Sequence, residues 1–488
     1  MSASALVLPG PLFFFLAAMA VAFLAYLLHR WAPLSGLVSA AGCLILCAIG
    51  VLYLSERSLS LGGRAVVLGR SFLLLSREWA LMPSSAVVLT FLFGVAGVAF
   101  LLALPGPQGW SFYPFGVGAV GVLALAATAQ EHVYAVLLFW LAANVAVFVL
   151  AGGRPGATMG ALRFLALTAL AAMPLLILPS YLGGHAAGPG VAQDAPRVAL
   201  VLAIVGFGIL FMVPPFHGQL VAVCAYAAPM APALVLSAFP PVAFHILFAL
   251  GQAHPALLQD AFALDVWRWM GTAAVAIGGL AALGQRRWGF LVGYAALVDW
   301  GAGLIALGQG TQEGMAQAAQ MLVWRALSLL LAGAGLTVLF QATGKQDELG
   351  QCRGLLYRRP LNALALFGGL FSLAGFPLTP GAAGRWPLIL DLLASDPGVA
   401  WTLILAGVGV SAGALNGLRA CVARPAEDRK GGGLEPRLQG VKESVEAMVG
   451  LAFGLLALWL IGVLFLHPAP WLEALGQALA AFTFFEAR

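Results

Sequence analysis

Fourteen apolar runs alternate along this chain with short polar connections, at 11–29, 34–54, 84–104, 112–130, 132–151, 160–182, 197–218, 226–250, 266–283, 288–308, 315–341, 360–392, 399–421 and 446–466. A run of about 20 apolar residues crosses the roughly 30 Å hydrocarbon core of a bilayer as a helix that satisfies its own backbone. The pattern therefore predicts an all-α polytopic membrane protein of about 14 transmembrane helices. Arg64, Arg70 and Arg77 precede the third run and suggest an interfacial helix there.

Two runs carry their own interruptions. Ser372 to Leu390 reads SLAGFPLTPGAAGRWPLIL, with Gly375, Pro377, Pro380, Gly381 and Gly384 in its middle, and Val201 to Leu220 runs into Pro214, Pro215, Phe216 and His217. Proline removes a backbone donor and clashes with the preceding turn, so each segment should be two half-helices joined by unwound backbone. Paired interruptions of this kind point to a transporter built from repeats. Arg385 follows the second break, and a cation at that depth must face protein or water rather than lipid.

Composition sharpens the class. The 488 residues are 62% hydrophobic and 9% charged, against roughly 45–50% and 25% in soluble domains. The net charge of +5 does not call for nucleic acid, because the basic residues collect between the runs: fifteen lie beside odd-numbered connections and six, Arg57, Arg64, Arg70, Arg77, Arg197 and Arg268, beside even-numbered ones. The positive-inside rule then puts the odd loops, including 424–442, in the cytoplasm and both termini outside. The expected location is a bacterial-type inner (cytoplasmic) membrane. Pro11 to His29 reads as a retained first helix, since no cleavage site follows it. Cys43, Cys47, Cys224, Cys352 and Cys421 have no ligand-like spacing, and no phosphate loop, dinucleotide fingerprint or nucleophile elbow occurs, so no metal or cofactor is expected.

From about Ala161 to Val422 the chain resembles the antiporter-like membrane subunits of respiratory complex I, a family shared with Mrp-type cation/proton antiporters and membrane-bound hydrogenases. The stretches that carry the resemblance are VGFGILFMVPPFHGQL (205–220), APMAPALVLSAF (228–239), GQRRWGFLVGYAALVDWGAGLIALGQGTQEG (284–314), WRALSLLLAGAGL (324–336) and LFSLAGFPLTPGAAGRWPL (370–388). It implies fourteen helices containing two inverted five-helix repeats, each with a broken helix. The domains follow as 1–110 (helices one to three), 111–250 (first repeat), 251–422 (second repeat) and 423–488 (loop and last helix). About twenty residues follow the last run, which fits the medium-length members rather than the subunit with a long lateral helix.

In that family a mid-membrane polar axis of one glutamate and several lysines is held to carry protons, and this chain fills those positions differently. The glutamate position of the fifth span falls at Leu141, and the lysine positions of the seventh and eighth at Leu210 and around Pro240 and Pro241. Glu131, ten residues from Leu141, is roughly 15 Å away along a helix and a poor substitute. In the second half Arg325 and Arg385 stand where lysines are expected, cationic but reluctant to release a proton. Asp299, midway along the tenth run, should pair with one of them; it then either fastens the second repeat or belongs to a residual proton path, unless it faces water near a helix end. His217 can bond a carbonyl freed by the break or titrate with His245, which alone reads as a packing histidine. Asp391 is a candidate link from Arg385 to the outer face. The sequence thus offers a buried polar axis of Asp299, Arg325, Arg385, His217 and His245 beside breaks at Pro214, Pro215, Pro377 and Pro380.

Three functions fit. The first is a membrane subunit of a complex I-type NADH:quinone oxidoreductase assembly, with a degenerate proton path in its first half and the redox chemistry in other subunits. The second is a subunit of an Mrp-type antiporter or an inorganic-carbon uptake system. The third is a non-conducting structural subunit. All three imply other membrane subunits as partners, a lipid bilayer, and protons or monovalent cations as the transported species.

Overall fold

The computed structural model describes residues 6–55, 59–61, 64–74, 76–182, 194–343, 347–423 and 482. The first three long helices are α1 (Gly10–Leu27), α2 (Ala32–Leu54) and α3 (Pro83–Ala103). Five more follow as α4 (Phe112–Thr128), α5 (His132–Ala151), α6 (Ala157–Leu182), the pair α7 (Ala195–Leu210) and α8 (Gly218–Tyr226), and α9 (Met230–Ala253). A short α10 (Ala256–Gln259) leads to α11 (Ala261–Leu283), α12 (Trp288–Leu307) and α13 (Gln312–Ala342). The short α14 (Leu355–Arg358), the pair α15 (Pro360–Leu373) and α16 (Pro380–Ser395), and α17 (Pro397–Val422) complete the described helices.

Ten of these helices are long and apolar enough to cross a membrane, and α4, α7 and α15 are shorter apolar helices. Counting each broken pair once, the described residues reproduce thirteen of the apolar runs as candidate crossings. The run at 446–466 and the basic loop at 424–442 lie outside the described residues.

Proline sits in the first two helical positions of α2, α3, α15, α16 and α17, where the missing N–H has no intrahelical acceptor to lose. From α4 to α9, and again from α11 to α17, the chain makes five crossings, and the fourth is broken in each run. Five is an odd number, so the second run enters from the face opposite to the first, as inverted repeats must. The runs join where α8 packs on α12 and α9 on α13. Helices α9, α12 and α13 are almost wholly enclosed, whereas α1 and α2 leave Phe23, Leu27, Leu37 and Ile45 exposed, as lipid-facing spans should.

One expectation fails. The segment around Arg64, Arg70 and Arg77 forms short strands rather than an interfacial helix: β1 (Leu6–Pro9) pairs in parallel with β3 (Arg64–Gly69), β2 (Leu59–Leu61) joins β3 antiparallel, and β4 (Ser71–Leu74) pairs with β5 (Arg77–Ala80). The β-branched pair Val66 and Val67, the punctuating glycine at 69 and the aromatic residues Phe72 and Trp79 favour extended chain, and three arginines alone do not make a helix amphipathic.

Candidate functional site

The second break builds the site. Helix α15 stops at Leu373 because Gly375 takes φ +70° and Pro377 cannot continue the ladder. The last carbonyls of a helix need outside donors, and all four here have one. Ala374 N donates to Leu370 O (2.9 Å), Phe376 N to Phe371 O (2.9 Å), Gly375 N to Ser372 O (3.0 Å) and Arg385 Nη2 to Leu373 O (2.7 Å). Arg385, in the second turn of α16, thus folds back over the break and puts a cation at the negative end of the half-helix dipole. A Cβ at Gly375 would lie 2.7 Å from the Arg385 side chain, and one at Gly381 would lie 1.8 Å from Ser372 O. Glycine is required at both places. Ser372 Oγ completes the joint by accepting from Gly381 N (2.9 Å) and from Ser328 Oγ on α13 (2.7 Å).

Asp299 lies eleven residues into α12, about 16 Å along its axis and so near the mid-plane of a span of roughly 30 Å. Its Oδ1 accepts from Arg385 Nη2 at 3.0 Å, and its Oδ2 lies 3.3 Å from Arg325 Nε in an ion pair that falls outside hydrogen-bond geometry. All three side chains are 4% exposed or less. Arg325 also lies over the ring of Trp300, 3.9 Å from Cζ to the centroid, and the Trp300 indole N–H donates to the carbonyl of Phe211, the residue that caps α7. Both breaks therefore end on groups from one cluster: Arg385 holds the carbonyl at the end of α15, and Trp300 holds the one at the end of α7.

The structure brings Asp299, Arg325 and Arg385 together, where the sequence asked for only one arginine on the aspartate. The histidines stand apart. His245 Nε2 bonds Ala127 O on α4 at 3.0 Å, whereas the half-buried His217 has no partner on Nδ1 among the described residues, so the carbonyl bond expected of it is not made there. The chain around Pro214 and Pro215 is wound as turns whose own N–H groups take up the end of α7, Met212 N to Ile209 O (3.0 Å) and Val213 N to Gly208 O (3.3 Å). Pro377 lies in the second break, and Pro380 opens α16. Asp391 accepts from Gln317 Nε2 (3.2 Å), and Glu131 pairs with Arg77 at an exposed position. Leu141 is 49% exposed on α5, while Leu210, Pro240 and Arg325 line one small cavity between the halves.

Sequence reasoning missed two features. Trp300 follows Asp299 directly, and that adjacency was the available signal. The other is Asp347, which stands beside Glu348 in a loop that also carries Lys345 and Arg353. Its Oδ2 lies 3.2 Å from Arg287 Nη2 and 3.4 Å from Arg154 Nη2, and its Oδ1 accepts from Gly289 N at 3.0 Å. Burial raises the Asp347 carboxyl above its ordinary range, and the Gly289 N–H and the two guanidiniums oppose that shift.

A family model described as "NADH:quinone oxidoreductase/Mrp antiporter, TM" matches residues 130–411. The NADH-quinone oxidoreductase subunit N of Cereibacter sphaeroides is 32% identical over 296 residues, 59% of this chain and 63% of that protein. Subunit N 1 of Streptomyces griseus is 30% identical over 336 residues, 64% of this chain and 68% of the relative. Among solved structures, a chain of the Mrp complex from Dietzia superposes with TM-score 0.73 at 17% identity, covering 96% of this chain and 97% of that one. A chain of respiratory complex I from Thermus thermophilus gives 0.68 at 20% identity over 96% and 100%. At these identities the structural likeness is one of fold.

Proposed function

Since the chain belongs to the NADH:quinone oxidoreductase/Mrp antiporter family, we propose that it is an antiporter-like membrane subunit of a complex I-type assembly and that its mid-membrane cluster fastens the membrane arm instead of relaying protons. The observation that carries this reading is the cavity where Leu210, Pro240 and Arg325 meet. Three of the four positions that the family resemblance gives to lysines come together in space, yet two of those three side chains have nothing to titrate. The third is an arginine, the basic side chain least ready to release its proton. A row of titratable groups is thus interrupted on the side of the first repeat. Protons or monovalent cations moved by the assembly would pass through other subunits, which are also its partners in a bacterial inner membrane, with both termini of this chain outside.

The test is the proton-to-electron ratio of the reconstituted assembly carrying the charge-balanced pair Asp299→Asn with Arg385→Met. The expected result is an unchanged ratio in whatever fraction assembles. A lower ratio with full assembly would assign the cluster to the proton path and refute the fastening role.

A further inference from the structure

The mid-membrane cluster holds two guanidiniums against one carboxylate, and among the described residues no second carboxylate pairs with either arginine. Both arginines stay protonated, so one positive charge is left over in a region of low dielectric, where an uncompensated charge is strongly disfavoured. The hydrogen bonding is incomplete in the same place. Arg325 Nη2, Arg385 Nε and Arg385 Nη1 are buried N–H groups with no acceptor among the described residues.

Arg325 borders a small cavity with about 10 Å³ of space open to the centre of a water-sized sphere. Leu210, Leu220, Leu236, Ala296 and Leu329 form half of its wall, and among the described residues Arg325 is the one charged side chain that borders it. The indole N–H of Trp300, also in the wall, is committed to the Phe211 carbonyl. A water there could satisfy the free N–H but would leave the charge.

We propose that this cavity binds a small monovalent anion of the halide class, chloride being the ordinary case, against Arg325. The anion accepts from the free guanidinium N–H and brings the buried count to two cations and two anions. Apolar walls favour weakly hydrated halides, and the small volume excludes sulfate, phosphate and organic anions. Binding needs neither quinone nor nucleotide, so its failure would leave the proposed function standing, and the reverse holds too.

The experiment uses the full-length chain with any membrane subunits that co-purify, in gluconate buffer at fixed ionic strength. Chloride is titrated in while the ³⁵Cl NMR linewidth and the thermal unfolding midpoint are followed. The expected result is saturable broadening reversed by bromide, and a Tm that climbs by roughly 2 °C per tenfold chloride above the dissociation constant. Arg325→Met, which removes the surplus charge, and Ala296→Leu, which fills the cavity without touching a charge, should each abolish both effects. No saturable broadening in the wild-type chain, or broadening that persists in a folded Ala296→Leu or Arg325→Met variant, would overturn the proposal.

Discussion

Two clusters in this molecule have the same composition, one aspartate between two arginines, and differ in where they sit. Asp347 joins Arg154, which precedes α6 in the first repeat, to Arg287, which caps α12 in the second; Arg154 is 12% exposed and Arg287 38%, so water reaches the surplus charge. The cluster is also well bonded, with Gly289 N on the aspartate and Arg154 Nη1 donating to Ala225 O at 2.9 Å. Asp299, Arg325 and Arg385 have no such relief: all are buried, and three guanidinium N–H groups lack acceptors among the described residues. The same three charges therefore act as a solvated clasp at the surface and as an over-charged fastening at the centre, where any loss is felt at low dielectric.

The largest break in that comparison is Asp299→Asn. It leaves two buried guanidiniums without a counter-charge and should cost about 3–5 kcal/mol, read as a lower midpoint in thermal unfolding of the purified subunit or as failure to assemble. Arg385→Met should cost less, about 1–3 kcal/mol, because it strands the Leu373 carbonyl but leaves Asp299 and Arg325 as a balanced pair. Asp347→Asn should cost about 1 kcal/mol or less, since Asn can still accept from Gly289 N, Arg154 keeps its bond to Ala225 O and Arg287 can turn to water. Its cost should also shrink between low salt and about 0.5 M, whereas that of Asp299→Asn should not.

The smallest expected effect is on pH. Burial holds the folded-state pKa of Asp347 above its unfolded value, so folding favours the protonated form. The associated stability is fully present below the unfolded pKa and is lost as pH rises through the raised one. Asp347→Asn should flatten that slope on the acid side, as checked by unfolding midpoints across the carboxylate range.

How far the sequence reached follows from the kind of signal each feature leaves. The breaks were legible because Pro214, Pro215, Gly375, Pro377 and Pro380 act through local backbone sterics, which need no knowledge of neighbours. The depth of Asp299, Arg325 and Arg385 was legible from their places within long apolar runs. Their grouping was legible only up to a choice between the two arginines, because that choice depends on how α12, α13 and α16 pack. The bond from Trp300 to Phe211 joins residues 89 apart in different repeats, and no local pattern announces it. The strands between α2 and α3 were missed because three arginines drew the eye from the valines and glycine that decide the backbone.

The most direct test is a pair of double-mutant cycles in one protein, Asp299→Asn with Arg385→Met and Asp347→Asn with Arg287→Met, each read by thermal unfolding in the same detergent and salt. The account predicts a central coupling energy of about 2–4 kcal/mol and a surface one below about 1 kcal/mol. Equal couplings, or a larger one at the surface, would contradict the claim that the buried cluster is what fastens the second repeat.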